Sequence, residues 1–132
     1  MDQPPPSADA PPISTLIVDD SPSMRALLRV ALSPHGHAVA EAEDGLAALA
    51  WLKDHPRPDV IITDINMPRL DGFGLIAQLR AQPAFADCPI LVLTTESSDE
   101  KKARARAAGA TGWIVKPFDP QKLIAAIRRV IH

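Results

Sequence analysis

A short apolar stretch that ends in a carboxylate constrains this chain more than any other feature. Residues 60–63 are Val-Ile-Ile-Thr, Asp64 follows directly, and Pro68 turns the backbone away four residues later. A run of this kind is typical of a strand that is buried on both faces of a parallel sheet. Open α/β sheets bind their ligands outside the carboxyl ends of such strands. We therefore interpret Asp64 as a chemical centre on which other polar residues converge.

Strands and helices are predicted to alternate strictly around this stretch. The strands are expected over residues 14–18, 37–41, 59–63, 89–93 and 111–115. Each helix follows a residue that caps its amino end, and these residues are Ser21, Asp44, Asp71, Ser97 (with Glu100 at capping-box spacing) and Asp119. Leu27 and Leu28 are expected on the inward face of the first helix, and Leu46 and Ala50 on that of the second. The alternation predicts an α/β fold of the doubly wound (βα)5 type, with a five-stranded parallel sheet between helices on both faces.

Length and composition limit the domain organisation and the functional class. Residues 1–12 contain five prolines and almost nothing apolar, so we predict a disordered tail before one domain over residues 13–132. A proline-rich docking role for the tail stays open. The net charge of −2 does not favour nucleic acid, and a single cysteine fits a reducing compartment. No apolar run approaches the roughly 20 residues of a membrane span, and no secretion signal precedes the domain, so we expect a cytoplasmic protein.

Polar residues follow four of the predicted strands at the edge where Asp64 lies. Asp19 and Asp20 follow the first strand, Thr94 the fourth and Lys116 the fifth. Three carboxylates at one edge repel each other unless a cation is present, and their oxygens suit a hard ion such as Mg²⁺. With a lysine and a hydroxyl added, the set predicts a site for a phosphoryl group. Singly, each residue has a plainer interpretation: a helix-capping acid, a solvated lysine or a threonine bonded to backbone.

The same residues, with their neighbours, resemble the receiver domain of two-component response regulators. The matching motifs are Asp19-Asp20, Asp64 with Asn66-Met67-Pro68 and Asp71-Gly72, Thr94, and Lys116-Pro117-Phe118. The resemblance covers about residues 14–132, and residues 109–118 are particularly similar to the single-domain chemotaxis regulators of the CheY type. It implies a flavodoxin-like, CheY-like sheet with strand order 2-1-3-4-5.

The resemblance also implies a role for each site residue. Asp64 would be the phosphoacceptor, and Thr94 and Lys116 would hold the phosphoryl oxygens. Mg²⁺ would be bound by Asp20, Asp64 and the main-chain carbonyl of Asn66, with Asp19 contacting it through water. Asn66 and Glu96 would set the lifetime of the phosphoryl group, which we expect to be short. The Lys116–Pro117 bond would be cis.

Two further regions are implied to transmit the signal. Trp113 occupies the position of an aromatic residue that turns inward on activation; the alternative is a core or surface tryptophan without switching. Lys101, Lys102 and Arg104 belong to a basic helix that we predict to be loosely attached and to meet an acidic or mixed-charge partner. A run of charges is otherwise simply a solvated face.

The expected function follows from these assignments. We predict a stand-alone, monomeric response regulator that catalyses only its own phosphorylation and dephosphorylation. Its phosphoryl donor would be the phosphotransfer domain of a CheA-type histidine kinase, and its target would be the flagellar motor switch. We expect neither nucleic acid nor a membrane as a partner. A phosphate sink or phosphorelay shuttle without motor binding is the alternative. A metal-dependent phosphatase is a remote one, since Asn66 stands where such an enzyme needs an acid or base.

Overall fold

A five-stranded parallel sheet forms the centre of the protein, which is represented by a computed structural model describing residues 12–131. The strands are β1 (Ile13–Val18), β2 (His37–Ala42), β3 (Val60–Thr63), β4 (Ile90–Thr94) and β5 (Gly112–Val115). Their order in the sheet is β2-β1-β3-β4-β5. The predicted α/β class and strand order are therefore confirmed. The predicted tail over residues 1–12 lies, except for Pro12, outside the described residues.

Five helices connect the strands, and most begin at the predicted caps. They are α1 (Pro22–Leu32), α2 (Gly45–Asp54), α3 (Gly72–Arg80), α4 (Asp99–Ala108) and α5 (Pro120–Val130). The side chains of Ser21, Asp44, Asp71 and Asp119 each accept a hydrogen bond from a backbone amide of the first turn, as expected. Within residues 12–131, none of these helices has the length and apolar character needed to cross a membrane.

The predicted start of α4 is wrong by one residue. Ser98, not Ser97, is the N-cap, and its hydroxyl accepts a hydrogen bond from the backbone N–H of Lys101 at 3.2 Å. Either of two adjacent serines can cap a helix, so the sequence alone does not determine at which of them the helix starts.

Apolar side chains fill both spaces between the sheet and the helices. Leu16 and Val18 of β1 belong to the cluster that also contains buried residues of α2, α3 and α4, whereas Ile17 belongs to the cluster with α1 and α5. This alternation follows from the two-residue period of a strand. β3 and β4 are buried along their whole length, as their continuous apolar sequences predict.

Three leucine and alanine positions that were predicted to face inward lie at the surface. Leu27 is 56% exposed and Leu46 is 43% exposed, and Ala50 is exposed too. In α1 the buried pair is Leu28 and Leu32, four residues apart, which turns Leu27 away from the sheet. In α2 the buried pair is Ala48 and Leu52, so Leu46 and Ala50, two residues from Ala48, lie on the opposite face.

A half-buried arginine joins two connecting segments at the edge of the sheet opposite Asp64. Arg80, at the end of α3, donates hydrogen bonds to the carbonyl oxygens of Gly109 (2.9 Å), Phe85 (2.6 Å) and Cys88 (2.7 Å). Gly109 ends α4 with a φ of 114°, a conformation that favours glycine. The carboxyl end of α4 is therefore fixed, although Ala105 is the only buried residue of that helix.

Candidate functional site

Three carboxylates meet where β1 and β3 end. The strands pair in register, Val18 with Thr63, so the residues that follow them come together. Oxygen atoms of Asp19, Asp20 and Asp64 lie within 4.8 Å of one another. Asp19 is buried, Asp20 is exposed and Asp64 is half-buried, which gives the cluster one face open to solvent.

A single lysine charge lies among these acids. Lys116, directly after β5, donates from Nζ to Asp19 Oδ2 at 2.8 Å and to Asp64 Oδ2 at 2.9 Å. Burial acts to lower the pKa of Lys116, but its hydrogen bonds to Asp19 and Asp64 outweigh burial and raise the pKa above its usual value. Lys116 is therefore a permanent positive charge beside Asp64. The bond from Lys116 to Pro117 is cis, as the resemblance implied.

Backbone groups fix the two acids that Lys116 contacts. The N–H of Ser21 donates to Asp19 Oδ1 at 2.9 Å, and the N–H of Ile65 donates to Asp64 Oδ1 at 2.6 Å. Gly72 packs directly behind this turn, and its N–H donates to the Ile65 carbonyl at 2.9 Å. A side chain at Gly72 would overlap the carbonyl oxygen of Asp64, so this glycine permits the close approach of α3 to the site.

The hydroxyl of Thr94 lies at the end of β4 and is completely buried. Its Oγ1 accepts a hydrogen bond from the N–H of Glu96 at 3.3 Å. Because a hydroxyl that accepts retains its own hydrogen, Thr94 keeps a donor for a further oxygen.

Glu96 is held from several sides at the rim of the site. Its Oε1 accepts from Asn66 Nδ2 at 3.3 Å and from Lys101 Nζ at 2.8 Å. Its carbonyl accepts from Trp113 Nε1 at 3.1 Å. The hydrogen bond from Lys101, and then that from Asn66, lowers the pKa of Glu96, which keeps this carboxylate ionised. Glu96 thus joins its fellow lifetime residue, Asn66, to Lys101 and Trp113, two of the residues predicted to transmit the signal.

The predicted basic surface of α4 is divided by these contacts. Lys101 points to Glu96, whereas the guanidinium of Arg104 lies 4.0 Å from the centre of the Phe73 ring on α3. Lys102 makes no ion pair within residues 12–131 and lines the groove between α4 and β5 next to Trp113.

Two residues that shape the site were given no role by sequence reasoning. Arg25 of α1 donates to the carbonyl oxygen of Asp19 and pairs with Glu41 at 3.1 Å, so it anchors the acidic loop to β2. Gly72 supports Asp64 from behind. The Asp-Gly pair at the start of α3 was a visible signal for Gly72, whereas nothing in the spacing of Arg25 distinguishes it from other arginines on a helix.

The chemistry of the donor set fits a hard divalent cation. All the available side-chain ligands are carboxylate oxygens, and one lysine offsets only one of their three charges. Oxygen ligands with excess negative charge are what Mg²⁺ takes in proteins.

Comparisons with known proteins agree on one family. Residues 15–128 match the family described as "Response regulator receiver domain". The chemotaxis protein CheY homolog of Campylobacter jejuni is 39% identical over 117 residues, which cover 88% of this chain and 90% of that protein. Response regulator MprA of Mycobacterium is 39% identical over 121 residues, and this chain spans about half, 51%, of its length. The structure of the chemotaxis protein CheY4 of Vibrio cholerae superposes with a TM-score of 0.86 at 45% identity, covering 91% of this chain and 99% of that one.

Proposed function

Because the chain belongs to the response regulator receiver domain family, we propose that it accepts a phosphoryl group from a histidine kinase onto Asp64. The observation that carries this proposal is the meeting of Asp19, Asp20 and Asp64 with Lys116 at one edge of the sheet. Asp64 is the candidate nucleophile because its carboxylate contacts Lys116 directly and stays partly open to solvent. An oxygen that is both accessible and paired with a cation suits attack on an anionic donor.

The proposed reaction is a displacement at phosphorus. A carboxylate oxygen of Asp64 forms a bond to phosphorus while the bond from phosphorus to a nitrogen of the phosphohistidine breaks, and the electron pair stays with the imidazole. Lys116 offsets the charge on the transferred oxygens, and the Thr94 hydroxyl donates to one of them. The backbone N–H of Ile65 fixes the carboxylate, so attack needs little reorganisation.

The proposed cofactor is Mg²⁺. Asp20, Asp64 and the main-chain carbonyl of Asn66 would hold it, with Asp19 nearby. When bound, the ion supplies positive charge to the carboxylates and to the phosphoryl oxygens.

We further propose that the phosphorylated protein acts in the cytoplasm by binding the flagellar motor switch, with a CheA-type kinase as donor. The similarity to chemotaxis proteins supports this. Signal output would use the surface formed by α4, β5 and α5, where Lys102 lines a groove beside Trp113. The hydrogen bond from Trp113 to the Glu96 carbonyl supports a switching role, since it joins β5 to the loop that follows the Thr94 hydroxyl.

Phosphorylation is tested with a small phosphodonor such as acetyl phosphate. We expect the wild type to gain the mass of one phosphoryl group in the presence of Mg²⁺ and to gain none when EDTA removes divalent ions. Asp64→Asn should gain none, whereas Asp54→Asn, which changes an exposed acid at the end of α2, should behave as the wild type. Equal labelling of Asp64→Asn and wild type would refute the assignment of the phosphoacceptor.

Motor binding is tested separately with the purified motor-switch protein. Beryllofluoride, which mimics a phosphoryl group on a carboxylate, should strengthen binding, and Lys102→Glu should weaken it. If no binding is seen with or without beryllofluoride, the motor role is refuted and the role of a phosphate sink or shuttle takes its place.

A further inference from the structure

A three-residue bridge crosses the rim of the site from α4 to the loop after β3. Lys101, in the first turn of α4, donates to Glu96, and Glu96 in turn accepts from Asn66, two residues after Asp64. The side chains of Lys101 and Glu96 are 41% and 27% exposed. Asn66 is exposed as well, so the bridge is open to solvent.

The bridge fixes which end of the Asn66 amide is bound by Glu96 and which end is left. A carboxylate only accepts hydrogen bonds, so Asn66 turns its amide nitrogen toward Glu96 and keeps its amide oxygen as a free acceptor. Lys101 provides the stronger of the two contacts to Glu96, at 2.8 Å against 3.3 Å from Asn66. Without Lys101, a phosphoryl group on Asp64 would repel the Glu96 carboxylate, and Asn66 would lose the partner that orients it.

We propose that Lys101 is a positioning residue for the loss of the phosphoryl group from Asp64, acting through Glu96 on Asn66; this rests on the proposed function. In that step the oxygen of a water molecule bonds to phosphorus while the bond from phosphorus to the Asp64 oxygen breaks. The bonding pair stays with the carboxylate, and both hydrogens of the water leave with inorganic phosphate. The oriented amide oxygen of Asn66 accepts a hydrogen bond from the incoming water and aligns it. Lys101 touches neither the water nor the phosphoryl group.

The test compares dephosphorylation rates after loading with acetyl phosphate and Mg²⁺, rapid desalting, and acid quenching for intact-mass measurement. Lys101→Met should lose the phosphoryl group about two- to fivefold more slowly, the range that an exposed ion pair supplies. Lys101→Arg, which can still pair with Glu96, should restore most of the rate. Lys53→Met removes the same charge from the exposed end of α2 and should leave the rate unchanged. Thermal unfolding of all variants shows whether a rate change reflects loss of structure.

A double-mutant cycle separates positioning from a general effect of charge. Once Glu96→Gln has removed the carboxylate, adding Lys101→Met should change the rate no further. An unchanged or faster rate in Lys101→Met, or an equal slowing by Lys101→Met with and without Glu96→Gln, would overturn the inference while leaving Asp64 as phosphoacceptor. A wild type that gains no phosphoryl group would overturn the proposed function, and the inference with it.

Discussion

The contact between Gly72 and the turn after β3 allows a sharp prediction about Asp64. A Cβ at Gly72 would overlap the carbonyl oxygen of Asp64 and approach Ile65 Cα to 2.9 Å. Ordinary contact begins at 3.4 Å, so the Ile65 backbone must move by at least about 0.5 Å, and the Asp64 carbonyl further. Overpacking of this kind costs about 1–3 kcal/mol. Displacing a reacting group by up to about 1 Å slows a reaction by roughly ten- to a hundredfold.

Two measurements on Gly72→Ala test this reasoning. The urea midpoint should fall by about 1 M, and the rate of phosphorylation by acetyl phosphate by about tenfold or more. Gly74→Ala, in the same helix, is the matched control, because its Cβ would meet the flexible end of Leu70, at 2.6 Å from Cδ1. In a helix alanine is better than glycine by about 0.5–1 kcal/mol, so Gly74→Ala should be neutral or stabilising. If Gly72→Ala matched Gly74→Ala in both assays, the close approach would not position Asp64.

Three further predictions concern stability, measured by urea unfolding. Ser98→Ala should cost about 1 kcal/mol and Ser97→Ala less than about 0.5 kcal/mol, and equal costs would contradict the observed N-cap. Burial lowers the pKa of His37 below 6.5, so the folded state disfavours protonation of this side chain. The stability that the neutral His37 contributes is therefore present above about pH 6.5 and declines as the pH falls below that value. His37→Gln should make the free energy of unfolding less dependent on pH in this range, and an unchanged dependence would refute the role of His37. Arg80→Met removes the donor from the carbonyls of Gly109 and Cys88, whereas the Phe85 carbonyl keeps the N–H of Cys88, and should cost about 2–4 kcal/mol. Gln78→Met on the exposed face should be nearly neutral, and equal costs for the two variants would contradict the stabilising role of Arg80.

The architecture was predictable because several local signals agreed. Apolar runs of strand length alternate with helical periods, and four caps such as Asp44 and Asp71 stand where the helices begin. The grouping of Asp64 with Asp19 and Lys116 followed from topology alone, since parallel strands bring their carboxyl ends to one edge. Distances and contacts between side chains depend on how the helices pack on the sheet, which topology alone does not determine.

The failures share a physical cause. Periodicity shows that a helix has an apolar stripe, but it does not show how the helix is rotated about its axis against the sheet. Leu27 and Leu46 were therefore assigned to the core, although both are exposed. The position of Lys101 could not be foreseen either. Its side chain reaches Glu96 in a helix that is capped by Ser98, and a helix capped one residue earlier would turn this side chain by about 100°.

The unequal attachment of the two ends of α4 determines how that helix can move. Gly109 is held by a hydrogen bond from Arg80, whereas the other end is joined to the site by the partly exposed pair of Lys101 with Glu96. A helix that is fixed at one end tilts about that end and does not slide along its own axis. Ten residues span about 15 Å, so a tilt of about 10° would displace the end nearest Asp64 by about 2.6 Å while Gly109 stayed in place. A small change at the carboxylate cluster would thus be amplified along the face of the protein that we propose as the partner-binding surface.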